Sequence, residues 1–266
     1  MWICTIMVIL AILCPSGLIY ATGWMPVPAM ATAERGEYQA RNARTGNELW
    51  RTNWVLDRTT AEGHTLIRVQ EDGRGVRDSD VPTVWTVHMT LNLSSQALRI
   101  SLAREVRDTV GRLLEVQERE MDYPDGSGQV STTDGRTGQS ESRSFPLTAR
   151  SIGIEMLATE FRLLPDLPDQ QMQFDLITRD GKVLGMQAKV VGRERVAVPA
   201  GSFECYKVEM APTGLLGVLA DLLMPKMYMW HTVAAPHIWI KFQGAEGGPG
   251  SPEIVRELVR FTPFPD

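Results

Sequence analysis

Residues Trp85-Thr86-Val87-His88-Met89-Thr90-Leu91-Asn92-Leu93-Ser94 alternate apolar and polar side chains without a break. A repeat of two is the repeat of a strand, because successive strand side chains point to opposite faces, and it is incompatible with the 3.6 repeat of a helix. One apolar and one polar face further implies an antiparallel sheet, packed on one side and wet on the other. The same rhythm runs through most of the chain. Trp50, Trp54 and Leu56 alternate with Arg51 and Asn53, and Ile67 and Val69 follow a Glu62-Gly63 turn. Leu98, Ile100 and Leu102 continue it on a neighbouring strand, and Leu114 and Val116 begin another. Further runs are Met172, Phe174 and Leu176; Leu184, Met186, Ala188 and Val190; Tyr206, Val208 and Met210; and Ile238, Ile240 and Phe242.

Three segments depart from this rhythm. Over 151–164, Ile154, Leu157, Phe161 and Leu164 recur at helical spacing, with Thr148 or Ser151 as a cap and Pro165 as a stop. Residues 122–144 are polar and rich in glycine, which fits a long hairpin or a mobile loop. The tail 253–261 fits a helix or a strand, since Ile254, Val255, Leu258 and Val259 make a helical stripe of β-branched character. Arg179-Asp180-Gly181-Lys182 reads as a hairpin turn, because Asp-Gly tolerates positive φ. At 266 residues and 43% apolar content the chain can bury a core without disulfide or metal staples. The expected fold is mainly β: a single antiparallel curved sheet, or half-barrel, wrapped around a helix, in one domain spanning residues 34–266.

The amino terminus points to export. No charged side chain precedes Glu34, and Ile3 to Leu13 are almost continuously apolar before Pro15-Ser16-Gly17. Ala21, Ala29-Met30-Ala31 and Ala31-Thr32-Ala33 offer small-residue cleavage positions, so residues 1–33 read as a signal peptide cut between 21 and 33. The apolar run is short for a membrane span. Cys14 follows a bulky Leu13, which disfavours lipid attachment there. Export would leave Cys205 as the one cysteine, with no intramolecular disulfide and the pattern of a buried thiol. A periplasmic or outer-envelope location is expected.

Charge and motifs exclude more than they assign. A net charge of −5 is the wrong sign for a nucleic-acid footprint. His64, His88, His231 and His237 are not spaced as metal ligands on one element, although a turn across Pro236 would bring the last two together. His88 sits on the polar face of its strand, and Glu118 and Glu120 on a solvent face. There is no nucleophile elbow, zinc-protease pair, phosphate loop or dinucleotide fingerprint. No catalytic residue, metal or cofactor is therefore assigned.

One segment is physically unusual. Between Pro212 and Pro225 lie Leu215, Leu216, Val218, Leu219, Leu222, Leu223 and Met224, with Asp221 the lone charge. It fits a buried core helix, or a lid or membrane-surface segment over an apolar ligand. On the second reading Leu157 and Phe161 line the site, and Leu219, Leu223 and Trp230 close it.

A turn string carries a family resemblance. It reads Gly192-Arg193-Glu194-Arg195-Val196-Ala197-Val198-Pro199-Ala200-Gly201-Ser202-Phe203. Pro199 suits the first turn position, and Gly201 a bulge of positive φ after it. From about Pro146 to Arg260 the chain resembles a family of exported bacterial proteins of unknown function marked by this string. That family is similar to the LolA/LolB-type lipoprotein carriers. The resemblance implies an antiparallel half-barrel over a helix with an apolar concave face, and Val198, Pro199, Ala200, Gly201 and Phe203 as a structural turn. The expected function is a non-catalytic envelope protein binding a lipid or a lipidated partner, with peripheral membrane contact. The alternatives are a scaffolding envelope protein filled by its own side chains, and a hydrolase.

Overall fold

Among the described residues the first and last strands lie side by side, and the other strands are ordered by their distance from that pair. The computed structural model describes residues 33–61, 64–77, 81–93, 98–213, 226–245 and 251–263. β1 (Ala33–Asn42) pairs with β15 (Glu253–Pro263). Outward from β1 run β2 (Glu48–Ala61), β3 (His64–Gly75), β4 (Thr83–Leu93), β5 (Leu98–Asp108), β6 (Leu113–Asp122), β7 (Ser127–Asp134) and β8 (Ser140–Pro146). Outward from β15 run β14 (Trp239–Ala245), β13 (Met227–Thr232), β12 (Gly201–Pro212), β11 (Val183–Val198) and β10 (Gln171–Ile177). β9 (Ser151–Gly153) ends this second wing and pairs parallel to β10. The result is one curved, unclosed sheet, and 71% of the described residues lie in strands.

Alternation sets which face is packed. In β4, Trp85, Met89 and Leu91 are buried while His88 and Asn92 are exposed, as the sequence rhythm requires. Leu56, Ile67, Ile100 and Leu102 from one wing converge with Val208, Met229, Ile240 and Leu258 from the other, all in one core cluster. Curling the sheet this tightly needs room on the inner face. Three cross-strand pairs supply it by setting a glycine opposite an aromatic ring: Gly36 with Trp54, Gly73 with Trp85, and Gly128 with Phe145. A Cβ at Gly73 would overlap the Trp85 indole, and one at Gly128 the Phe145 ring. Each ring thus covers the bare backbone of its partner, a known device for bending sheets.

The helix expected over 151–164 is corrected. Residues Ser151–Gly153 form β9, and the remainder is a broken helical segment. It comprises a 3-10 turn Ile154–Met156, a four-residue α1 (Leu157–Glu160) and a 3-10 stretch Phe161–Asp166 that contains Pro165. Neither Thr148 nor Ser151 caps it. The Ser151 hydroxyl instead accepts the Thr148 N–H at 2.9 Å. The sheet claims residues 151–153 for pairing with β10, so too little chain remains for a regular helix. The apolar spacing still has its effect, since Met156, Leu157, Phe161 and Leu164 are buried inside the curl.

Residues 122–144 take the hairpin reading. They supply β7 and the start of β8, with Gly126 and Gly138 at positive φ in the turns. The tail 253–261 is strand, because β15 is hydrogen-bonded on both sides, to β1 and to β14. The amino-terminal segment to residue 32, Glu62-Gly63 and residues 214–225 lie outside the described residues.

The glycine–aromatic pairs generate a stability prediction. Gly73→Ala should destabilise the fold by about 1–3 kcal/mol, because the Trp85 ring has to leave its seat. Gly192→Ala, where a Cβ meets no atom within 4 Å, should change stability by less than about 0.5 kcal/mol. Urea denaturation of the two variants beside the parent measures both.

Candidate functional site

The concave face is polar as well as apolar, and its charges hold the helical segment in place. Arg162, in the 3-10 stretch, is 3% exposed and donates from Nη1 to Glu34 Oε1 at 2.7 Å, with Glu34 fully buried on β1. Glu155 receives two bonds from Arg119 of β6, at 2.7 and 3.3 Å. His231 of β13 meets the Ala158 carbonyl through Nε2 at 3.1 Å and lies edge-on to Phe161. Three strands from different parts of the sheet therefore grip one short segment. Burying these charges is costly, and their pairing offsets that cost. Glu34 Oε2, Arg162 Nε and His231 Nδ1 remain buried without a hydrogen-bond partner.

A second polar group lies between the main core and a smaller apolar cluster of Ala40, Trp50, Trp85, Val106 and Ile254. The Arg256 guanidinium sits 4.6 Å from the Trp239 ring centre and 4.9 Å from those of Tyr38 and Trp50. Arg77 lies 4.9 Å over Trp50 and 5.2 Å over Trp85. Both guanidiniums bond Glu71, at 3.4 and 2.9 Å, and the Trp85 indole N–H donates to the same carboxylate at 3.1 Å. Burial alone would raise the Glu71 carboxyl, but Arg77, Arg256 and the indole donor outweigh it and hold it at about 2. Cations stacked on aromatic faces within about 6 Å are attracted by the ring quadrupole, more so when desolvated. Beside this belt, an open cleft of about 410 Å³ is lined by Leu49, Trp50, Arg51, Arg74 and Val84.

The two wings meet along a seam that, among the described residues, no strand ladder closes. β8 and β9 are the free ends of the sheet order. Across the seam, Tyr123 Oη donates to the Ser151 carbonyl at 2.7 Å, and Arg119 Nη2 to the Arg179 carbonyl at 3.3 Å. The β10–β11 turn packs Gly181, at φ +74°, against Val130 and Phe145. Side chains clasp the wings where a closed barrel would use backbone hydrogen bonds.

The residues singled out from sequence fall in different places. Leu157 and Phe161 are 8% and 0% exposed and belong to the core. Trp230 is buried, but it points to the opposite side of β13 from its neighbour His231. Its indole donates to Glu194 at 2.5 Å and stacks between Lys207 and Lys241, 5.3 and 5.2 Å away. Trp230, Leu157 and Phe161 nevertheless belong to one buried cluster. Leu219 and Leu223 lie outside the described residues. The turn string forms the β11–β12 hairpin, with Val198 opposite Gly201, Gly201 at φ +134° and Phe203 partly buried. Its Ala200 N–H donates to the Leu258 carbonyl at 3.1 Å, which ties the hairpin tip to β15.

Cys205 is fully buried, and burial, with Glu204 and Glu194 nearby, pushes its thiol up to about 12, so it is inert. His231 and His237 have different hydrogen-bond partners: His231 Nε2 meets the Ala158 carbonyl and His237 Nδ1 the Thr232 carbonyl at 2.8 Å. Among the described residues, no three His, Cys, Asp or Glu side chains converge as for a metal. Sequence reasoning missed Arg162, Glu34, Arg119 and the Arg256–Glu71–Arg77 group. The only available signal was a charged residue at an inward position of an alternating strand, as Glu71 is relative to Ile67 and Val69.

No family model and no curated protein matches the chain. Among solved structures, it is similar to the β-barrel-like protein of the domain of unknown function DUF1849 from Brucella abortus. The identity is 11% and the TM-score 0.56, over 90% of this chain and all 100% of that one. This likeness places the fold in the class of β-barrel-like sheets. Two further structures are more remote. One is a candidate lipoprotein from Parabacteroides distasonis, at 7% identity and TM-score 0.39 over 90% of this chain and 100% of that one. The other is a candidate exported protein with a YmcC-like fold from Bacteroides fragilis, at 11% and 0.38 over 88% and 97%. Among the described residues no helix is long and apolar enough to cross a membrane.

The buried pair makes a sharp test. Arg162→Met alone should cost about 3–5 kcal/mol by stranding the Glu34 carboxylate, whereas Glu34→Leu with Arg162→Met should recover most of that loss. A double-mutant cycle in urea reads the difference.

Two titrating groups give opposite pH slopes. Burial pushes the Glu160 carboxyl up to about 7. The folded state then holds a proton that the unfolded state releases near 4.5, so stability falls as pH rises through 4.5 to 7. Glu160→Gln should therefore gain on the parent between pH 5 and pH 8, by an amount on the order of 1 kcal/mol. Burial holds His231 down at about 3, against the pull of its Ala158 bond. Stability should accordingly be lost as pH falls from 6.5 toward 3, and His231→Asn should flatten that acid limb in the same denaturation series.

Proposed function

We propose that this chain is an exported envelope protein that acts by binding, not by catalysis, and that takes an apolar ligand such as a lipid or an acylated partner between the two wings of its sheet. The seam is the observation that carries the reading. A concave face that is largely apolar, and that among the described residues is closed by side-chain contacts such as Tyr123 to Ser151 and Arg119 to Arg179, opens without breaking a strand ladder. Each methylene of an acyl chain removed from water there would contribute about 0.8 kcal/mol. The apolar residues 213–224 and the amino-terminal segment of the sequence support the same reading, as does the resemblance to lipoprotein carriers carried by the turn string. The histidine with an unpartnered ring nitrogen, His231, is fully buried and held neutral, which favours binding over acid–base chemistry.

A second reading has its own observation. Phe161 and Leu164 are 0% exposed within the curl, so the protein's own side chains occupy part of the concavity, as a scaffolding protein would require.

Native mass spectrometry of the protein isolated from the envelope, followed by organic extraction, tests the two. A reproducible lipid-sized adduct, lost with Leu219→Asp/Leu223→Asp while the fold persists, is the expected result. A clean apo mass that takes up no added lipid would overturn the carrier reading in favour of the scaffold.

A further inference from the structure

Among the described residues, β8 is a free sheet edge of seven residues, whereas β9 at the other end has three, all buried. Five consecutive residues of β8, Ser140 to Ser144, are exposed on both faces. The direction of its free backbone groups is set by the register. Leu147 N–H bonds the Gly126 carbonyl and Asp134 N–H the Gln139 carbonyl, both at 2.9 Å, and Val130 is opposite Arg143. In an antiparallel ladder the bonded pairs alternate, so Glu141 and Arg143 spend their backbone groups on β7. Ser140, Ser142 and Ser144 therefore point theirs outward, and Pro146 ends the usable edge because it has no N–H.

The side chains of this strand are self-complementary. Glu141 and Arg143 stand two residues apart on the same face, and among the described residues neither has a side-chain ion pair or hydrogen bond. Three exposed arginines of this wing do find carboxylates within the chain: Arg99 with Asp122, Arg107 with Glu105, and Arg112 with Asp108. Isolated charges often protect an edge from unwanted pairing. Here their order makes pairing with an identical strand favourable. An antiparallel partner related by a two-fold axis through Ser142 sets Glu141 of each copy opposite Arg143 of the other. These are non-hydrogen-bonded positions, where side chains approach most closely. The outward groups of Ser140, Ser142 and Ser144 then meet those of Ser144, Ser142 and Ser140 in the second copy.

We propose that a second copy of this chain docks on β8, joining two sheets edge to edge in an isologous dimer held by the three outward serine positions and two Glu141–Arg143 pairs. One short strand per copy buries little surface, so the dimer is a weak one that forms at high concentration. Exposed ion pairs also make it salt-sensitive.

Sedimentation equilibrium of the protein isolated from an exporting host tests this over a range of concentration and salt. A monomer–dimer equilibrium weakened by about 1 M salt is expected. E141R and R143E should each weaken association about tenfold or more, because like charges then face each other twice. The double variant E141R/R143E should restore the parent affinity. S142P should abolish the dimer while leaving the β7–β8 ladder intact, since the Ser142 N–H takes no part in it; an unchanged thermal unfolding midpoint confirms that. The charge series carries the test by itself if S142P does not fold. A chain that stays monomeric at all concentrations overturns the proposal, and so does a dimer indifferent to both the charge reversals and S142P.

Discussion

Glu34 and Arg162 are 128 residues apart in the chain and 2.7 Å apart in space, and both are buried. Their pairing fixes where the helical segment 154–166 sits relative to β1, the strand at the middle of the sheet. Arg119 and His231 then fix its two flanks from β6 and β13. Four residues of α-helix have no stability of their own. Their conformation is imposed by these three polar grips and by the apolar side chains that face outward from the segment into the curl. The sheet, in turn, needs the segment, because a curved sheet with nothing inside it would leave Leu56, Ile100 and Val208 facing a void.

Curvature itself comes from a different source. Glycine opposite an aromatic residue lets two strands tilt inward without a steric collision, and the ring then shields the backbone left bare. This happens on both sides of the first wing, at Gly36 and Gly128, and in its middle at Gly73. The curl brings β6 to β8 over β9 and the β10–β11 turn, yet the wings stop short of hydrogen-bonded closure. A barrel would have removed both edges. Leaving them produces two functional possibilities in one stroke: a seam that side chains hold, and a free strand, β8, with unspent backbone groups.

The Arg256–Glu71–Arg77 group shows how this fold accommodates charge on its inner face. Arg256 from β15 and Arg77, six residues beyond Glu71, bring two guanidiniums to one carboxylate, and four aromatic rings surround them. The group occupies the boundary between the two apolar clusters, so it interrupts the concave face and separates the main core from the cleft beside Trp50. An apolar ligand between the wings would meet the main core on the far side of this belt.

How much of this is legible in the sequence varies with the range of the interaction concerned. Strand alternation, the Asp180-Gly181 turn and the Val198–Gly201 hairpin depend on neighbours within a few residues, and the sequence read alone identifies them. The burial of Cys205 follows from the same alternation, and that of Leu157 and Phe161 from their four-residue spacing. The helical spacing over 151–164 misleads because its first residues are taken by pairing with β10, a contact that local spacing does not encode. The tail 253–261 is undecided from sequence for the same reason: β15 is a strand because β1 and β14 flank it. The partners of Trp230, Glu194, Lys207 and Lys241, are not legible in the sequence, because they come from β11 and from the two strands that flank β13. The buried charges are invisible, since Glu34 and Arg162 look like ordinary polar residues until the fold encloses them. The sequence by itself thus determined a β-rich chain with its turns and most of its inward residues, because those obey the local geometry of the strand. Only the tertiary structure decided how far the sheet curls, what plugs it and which charges become partners, because those depend on groups brought together from distant parts of the chain.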